Sequence, residues 1–251
     1  MYNLLFVNYL MFNLLNALKN ANAVHDNSDI EHLHKFRVYT RRVVSLLKLF
    51  MPEEKKIIKS LKRALKYTNV LRDLDVLLLT INEKKFPNLK NEIRQYRINE
   101  YKRVWTKETL DEISSIILNA SDELHTLPGI DSYLHMIEVA EQYFADTMHI
   151  YRTLSSEHDS DKKFHEVRIR FKIARYAFEF LKNCQIAEEE SKIEECKKAQ
   201  KSFGDVQDIY SQLQWFKEYS KTNPSKECTK IINKLTKKLK KERQNITLSS
   251  S

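Results

Sequence analysis

The chain has almost no residues that form tight turns. Only 2 glycines and 4 prolines occur in 251 residues. Because a β protein needs many tight turns, and glycine and proline form them most readily, this scarcity predicts an all-α fold. A chain of this length can bury a sizeable core, either as one domain or as two half-size units.

The charge of the chain favours anionic partners. Its formal net charge is +9, although a lysine-rich surface that only keeps a helical protein in solution is the alternative. The cysteines Cys184, Cys196 and Cys228 show no C-x-x-C spacing. Three unpaired cysteines are typical of a reducing compartment rather than of a disulfide framework or a zinc site. We therefore expect a cytoplasmic protein.

The first apolar segment, residues 4–18, invites a membrane interpretation. Asn8, Asn13 and Asn16 interrupt it, and no lysine or arginine precedes it. Buried asparagines make a membrane span costly, and a signal peptide needs a charged segment before its apolar run. The segment is therefore interpreted as a buried first helix, with a signal or membrane anchor as the minor alternative.

Helix-starting and helix-ending residues divide the chain into helical segments. Asn27-Ser28-Asp29 is expected to cap the second helix, Gly204 to end another, and Leu127-Pro128-Gly129 to mark the midpoint. The predicted helices span about 2–20, 29–50, 52–68, a stretch after 71–73 that ends at Pro87, 88–122, 131–155, 162–184, 187–203, 205–220 and 225–243.

One basic pattern occurs twice, about half a chain apart. The copy that begins at His34 reads HKFRVYTRR, and the copy that begins at His165 reads HEVRIRFK, so both fit H-x-x-R-[VI]-x-x-[RK]. Each copy is followed by a second basic helix and then by an aspartate-containing segment, at 71–75 and 206–210. A duplicated helical unit is the economical explanation.

Both copies place their cations on one helix face. At 100° per residue, the histidine, arginine and lysine side chains form a stripe and the apolar residues cover the opposite side. Like charges stacked along a helix reduce its stability, and residues 32–50 contain no acidic residue at all. Two such stripes favour an anion that supplies the missing counter-charge, and arginine and lysine both suit phosphate oxygens.

These motifs resemble the CHAD family, the conserved histidine α-helical domain. The first histidine motif followed by R-D-L-D-V is similar to the family's first half. The second, followed by Q-x-x-x-G-x-x-x-D at Gln200, Gly204 and Asp208, is similar to its second half. The resemblance covers essentially the whole chain and implies one stand-alone CHAD domain over 1–251. It implies two pseudo-symmetric helical bundles, a duplicated unit of roughly four helices in about 1–127 and 128–251, around a central basic cleft.

The resemblance also implies a function and its residues. It implies non-catalytic binding of inorganic polyphosphate or a similar polyanion, including polyphosphate in granules. The residues assigned to the polyphosphate are His34, Arg37, Arg41, Arg42, Lys48, Lys62, Arg63, Lys66, His165, Arg168, Lys172, Arg175, Lys197, Lys198 and Lys201. Val44, Ile173 and Gln207 stand where the family often has a basic residue, which predicts a less basic cleft.

Two other functions remain open at this point. A nucleic-acid-binding helical protein would also use basic stripes, although no recognition motif occurs. A metal-dependent phosphohydrolase would need carboxylate ligands. Asp73, Asp75 and Asp208 could be read as such ligands, but helix caps or partners of the stripe arginines are the preferred interpretation. The string E-x-E-x-K at 188–192 lies in a helical segment rather than on a strand, so no enzyme, metal or cofactor is expected.

Overall fold

The chain folds as a set of helices. The computed structural model describes residues 3–24, 26, 30–127, 132–155 and 159–248, and within these residues it contains ten helices and no strand. They are α1 (Asn3–Asn22), α2 (Ile30–Phe50), α3 (Lys55–Tyr67), α4 (Asn69–Thr80), α5 (Pro87–Val104), α6 (Lys107–His125), α7 (Tyr133–Arg152), α8 (Asp161–Asn183), α9 (Glu190–Thr222) and α10 (Lys226–Leu248). The predicted all-α class is confirmed.

The two histidine helices, α2 and α8, pack against each other and tie the halves of the chain together. Helix α2 also contacts α1, α3 and α7, and α8 also contacts α7 and α9. The apolar faces predicted from the helical wheels are buried, as Phe36 and Leu46 of α2 and Phe171 and Phe178 of α8 show. Because these faces pack into the core, the cationic stripes lie on the remaining sides of both helices.

Helix α1 buries one face and exposes the other. Phe6, Leu10 and Leu14 are fully buried at helical spacing, whereas Leu4 and Phe12 are about three-fifths exposed, at 61% and 59%. The expectation of a buried first helix is therefore correct for one face only. None of the helices in the described ranges is both long and apolar enough to span a bilayer.

Helix α9 runs without a break through Gly204. The predicted helix end at Gly204 is wrong, and the segments 187–203 and 205–220 form one 33-residue helix. A glycine inside a helix costs only about 1 kcal/mol relative to alanine. The apolar residues Phe203, Val206 and Ile209 continue on the buried side across it. Burial of that continuous face outweighs the local preference of one glycine.

The predicted long helix at 88–122 is two helices. Helix α5 ends at Val104 and α6 begins at Lys107, with Thr106 between them. The Thr106 hydroxyl accepts a hydrogen bond from the Thr109 backbone N–H at 3.3 Å, which caps α6. The caps predicted at 27–29, and Pro128 and Gly129 of the midpoint, lie outside the described residues.

The division into two similar bundles stays a prediction. In each half of the chain, one helix precedes the histidine helix. After the histidine helix the halves differ: α2 is followed by two helices, α3 and α4, which meet at Thr68, whereas α8 is followed by the continuous helix α9. Two of the contacts between the halves of the chain concern the site, because α4 packs against α9 and α2 packs against α8.

Candidate functional site

Four helices, α2, α4, α8 and α9, enclose a cavity of about 450 Å³. Two of them are the histidine helices, whose stripes face each other across this space. The charged and imidazole side chains that line the cavity are His34, Arg37, Arg41, Arg72, Asp73, His165, Arg168, Lys172, Arg175 and Asp208. The cations therefore clearly outnumber the two carboxylates in this space.

The cavity crowds like charges in a poorly solvated space. Burial lowers the pKa of Arg41 and of Arg168. Burial also lowers the pKa of Lys172 well below its usual value, and Arg41, Arg168 and Arg175 add to the effect. A pKa that falls in a lysine means that the fold disfavours its charged form. A bound anion would offset this cost, because it would supply counter-charge and hydrogen-bond acceptors.

Several buried polar atoms at the cavity lack a hydrogen-bond partner among the described residues. The Nε–H groups of Arg168 and Arg175 and the side-chain oxygen of Gln200 make no hydrogen bond within the described part of the chain. A buried donor without an acceptor costs about 1–3 kcal/mol. Two orphaned guanidinium N–H groups in one cationic cavity are the arrangement expected of a site whose ligand carries acceptor oxygens.

The buried ring of Tyr176 supports the cations on one side of the cavity. The Arg175 guanidinium lies 4.9 Å and the Lys172 ammonium 5.7 Å from its centroid. Arg42 lies 5.2 Å from the same ring. Glu179 accepts from Arg42 at 3.2 Å and lies 3.3 Å from Arg175. Arg42 also donates to the Asn13 side chain at 3.1 Å, and it does not line the cavity.

The two histidines are held differently. His165 Nδ1 lies 2.6 Å from Gln207 Oε1, and Gln207 Nε2 donates to Ser211 Oγ at 2.9 Å. With the amide oxygen as acceptor, Nδ1 carries the proton and Nε2 stays available. For His34, the charge of Arg72 is the second cause, after burial, that lowers the pKa. Burial is the main cause that lowers the pKa of both imidazoles, so both favour the neutral form in the free protein.

Arg37 lines the cavity but uses its guanidinium to join helices. It is buried, and Nη1 donates to the Leu65 carbonyl at 2.9 Å and to the Thr68 hydroxyl, while Nη2 donates to Asn69 Oδ1 at 2.9 Å. These acceptors form the junction between α3 and α4. Burial, together with Arg41 and Arg72, lowers the Arg37 pKa to about 9. These hydrogen bonds hold the start of α4 against α2, and they thereby position Arg72 of α4 beside the cavity.

The remaining predicted site residues lie outside the cavity. They are Arg42, Lys48, Lys62, Arg63, Lys66, Lys197, Lys198 and Lys201. Arg63 pairs with Glu112 at 3.4 Å, and Lys197 pairs with Glu194 at 2.6 Å. Lys48 and Lys62 lie close together, and the pKa of Lys48 is lowered by burial and then by Lys62. The structure therefore brings seven of the predicted residues together in the cavity and leaves these eight outside it.

Several cavity residues were not predicted as site residues. Arg72 is the main one, and its position in the R-D-L-D-V segment was the available signal. Trp215 and Val76 had no signal in the sequence, because apolar residues at helical spacing are ordinary core residues. Of the three positions for which the resemblance implies a loss of basic charge, Gln207 lines the cavity, whereas Val44 and Ile173 are buried and do not line it.

The aspartates have separate roles. Helix α4 begins at Asn69 with Thr68 at its cap position, and Asp208 lies inside α9, so neither Asp73 nor Asp208 caps a helix. Asp75 is buried and accepts a hydrogen bond from Arg97 Nε at 2.8 Å. Within the residues that the structure describes, no group of three or more His, Cys, Asp or Glu side chains could hold a metal ion.

Comparison with known proteins places this arrangement in a family. A family model described as the CHAD domain matches residues 8–217. The fold is similar to the crystal structure of the CHAD domain from the plant Ricinus communis, with a TM-score of 0.75 over 98% of this chain and 91% of that chain, at 18% identity. No curated protein matches the sequence.

Proposed function

Because the chain belongs to the CHAD domain family, we propose that it binds inorganic polyphosphate in the cavity between α2, α4, α8 and α9, without catalysing a reaction. The CHAD domain is a polyphosphate-related family. The observation that carries the proposal is the convergence of two separate cationic stripes on one cavity, where arginine and lysine side chains outnumber the carboxylates.

Each part of the cavity has a simple task in this proposal. The Arg168 and Arg175 guanidiniums donate to phosphate oxygens, and Lys172 supplies a point charge between them. Tyr176 packs behind Lys172 and Arg175 and keeps them at fixed positions. The cavity volume of about 450 Å³ is that of an ordinary small-ligand pocket. It therefore holds a short stretch of polyphosphate rather than a whole long chain.

Direct binding measurements test the proposal. We expect saturable calorimetric binding of tripolyphosphate at low salt, with an affinity that falls by about tenfold or more when salt rises from roughly 50 to 200 mM, since counterions are released. Incubation of the complex with Mg²⁺ should release no orthophosphate. Displacement by DNA or RNA at equal phosphate equivalents would favour a nucleic-acid-binding function, and orthophosphate release that depends on the cavity residues would show an enzyme.

The affinity should also rise as the pH falls. His34 and His165 have pKa values below the usual value in the free protein, and a bound polyanion favours their charged forms. Binding should therefore take up protons and strengthen between about pH 7.5 and 5.5, by up to about tenfold for each pKa unit that the anion restores. Calorimetry in two buffers of different ionisation enthalpy measures this uptake with long-chain polyphosphate, whose internal phosphates stay ionised.

The double variant His34→Gln/His165→Gln provides the control for this pH dependence. It removes both imidazoles and keeps the arginine and lysine charges of the cavity. Its proton uptake between these pH values should be largely lost. If the double variant keeps the pH profile of the natural protein, the histidines do not contact the anion.

A further inference from the structure

Helix α10 carries an exposed row of lysines that the cavity does not use. We call Lys226, Lys230, Lys234, Lys237 and Lys241 the α10 lysine stripe; all five are exposed. Their spacing places them within an arc of about 80° at 100° per residue. At 1.5 Å per residue, the stripe is about 22 Å long. It is therefore a straight cationic surface on one side of one helix.

The charges of this stripe are not balanced. Between Lys226 and Lys241 the only acidic residue is Glu227, and its carboxylate accepts from the Leu89 backbone N–H at 3.2 Å. None of the five lysines makes an ion pair within the described ranges. On α9, by contrast, Lys221 pairs with Glu218 at 2.5 Å. Unbalanced lysines at i, i+4 spacing reduce helix stability, which favours an external counter-charge.

The opposite face of α10 is already occupied. Cys228, Ile231, Leu235 and Leu239 are buried, and α10 packs against α9. A helix that lies in a membrane surface must insert its apolar face between lipids. Since that face of α10 lies in the core, the stripe can act only through its charges. Helix α10 also lies beyond residues 8–217, which the CHAD family model matches.

We infer that the α10 lysine stripe binds the part of a long polyphosphate chain that extends out of the cavity. This inference rests on the proposed function. The cavity holds only a short stretch, and α9 both lines the cavity and packs against α10, so α10 neighbours a helix of the cavity wall. A linear chain with a charge on every unit suits a row of lysine point charges that impose little geometry.

The composition of α10 favours polyphosphate over nucleic acid as the occupant. Single-strand readers stack bases on aromatic side chains, and α10 contains no aromatic residue. The commonest specific base contact in a duplex is a bidentate hydrogen bond to guanine, for which the planar guanidinium of arginine is well shaped. The only arginine of α10, Arg243, lies 3.1 Å from Asp161 on α8.

Two variants with the same net charge test the inference. In the first, the five stripe lysines become glutamine. In the second, five other exposed lysines become glutamine; they are Lys19, Lys84, Lys85, Lys102 and Lys107, none of which lines the cavity. Circular dichroism and thermal melting confirm that both variants are folded. Tripolyphosphate and long-chain polyphosphate are then titrated into the natural protein and both variants at low salt.

The stripe variant should lose about tenfold or more in affinity for the long chain, with a shallower salt dependence because fewer counterions are released. It should bind tripolyphosphate as the natural protein does, and the matched variant should keep most of its long-chain affinity. Equal long-chain losses in both variants would show an effect of net charge alone and overturn the inference. Preferential binding of DNA through the stripe would also overturn it. If the natural protein binds neither polyphosphate, the proposed function itself fails.

Discussion

The double variant Arg168→Gln/Lys172→Gln is expected to bind tripolyphosphate at least about a hundredfold more weakly than the natural protein. Both side chains line the cavity. Arg168 has a buried Nε–H without a partner within the described residues. A hydrogen bond to a charged group contributes about 1.5–3 kcal/mol, so two lost contacts correspond to a loss of roughly 10²–10⁴ in affinity. Calorimetric titration at low salt measures the loss.

The same double variant should unfold at a higher temperature than the natural protein. Burial and the neighbouring arginines lower the pKa of Lys172, and burial lowers that of Arg168. The folded state therefore disfavours both charges, and their removal relieves this cost. The sign is clear because a lysine or arginine whose folded pKa is depressed opposes folding at any pH below that pKa. Weaker binding of tripolyphosphate together with a higher unfolding temperature would show that Arg168 and Lys172 contribute to ligand binding and not to the stability of the fold.

Lys198→Gln/Lys201→Gln is the matched control. The sequence assigned these lysines to the same ligand, but both are exposed on α9 and outside the cavity. This variant loses the same two charges and should keep its tripolyphosphate affinity within about threefold, since exposed charges act through a screened field. Equal losses in the two double variants would show that the anion does not select the cavity and would contradict the proposed function.

The histidine stripes were predictable because one periodicity governs them. A helix that buries Phe36 and Leu46 must turn Arg41 in the opposite direction, and on α8 the buried Val167 and Ala174 lie on the side away from Lys172. A wheel drawn from the sequence contains this information. The two stripes repeat it, so the cationic wall of the cavity followed from local pattern alone.

The fate of the individual arginines could not be predicted in the same way. Arg37 and Arg42 belong to the same motif as Arg41, yet Arg37 joins α3 to α4 and Arg42 pairs with Glu179 of α8. These partners lie 28 and 137 residues away, and only the packing of the helices brings them near. Arg72 enters the cavity for the same reason, because α4 packs against α9.

The predicted helix boundaries were wrong where the packing of the helices and a local sequence signal favoured different structures. Gly204 was read as a helix end, but the buried face of α9 continues through it with Phe203 and Val206. The opposite error occurred at Thr106, where a side-chain cap divides an apparently continuous segment. In both cases one local residue was weighed against a long periodic pattern, and the outcome depended on packing that a single sequence does not show.

The aspartates of the R-D-L-D-V segment show most clearly how packing decides a role. Asp75 and Arg97 form a buried pair at 2.8 Å, with side chains 1% and 4% exposed. Burial raises the pKa of Asp75 although Arg97 lies beside it. The free-energy cost of removing the Asp75 carboxylate from water therefore offsets most of its attraction to Arg97, as is usual for buried ion pairs. Such a pair adds little net stability when it is intact, but either charge alone is costly.

Asp75→Leu is accordingly expected to lower the free energy of unfolding by about 3–5 kcal/mol, because it removes the carboxylate that faces the buried Arg97 guanidinium. Urea denaturation followed by circular dichroism measures the change. The double variant Asp75→Leu/Arg97→Met should recover most of the loss, since two apolar side chains replace the pair without an orphaned charge. Glu218→Gln, which breaks the exposed pair with Lys221, should leave the denaturation midpoint nearly unchanged. A loss in Asp75→Leu that appears only in the presence of Mg²⁺, and that a chelator reproduces in the natural protein, would instead make Asp75 a metal ligand.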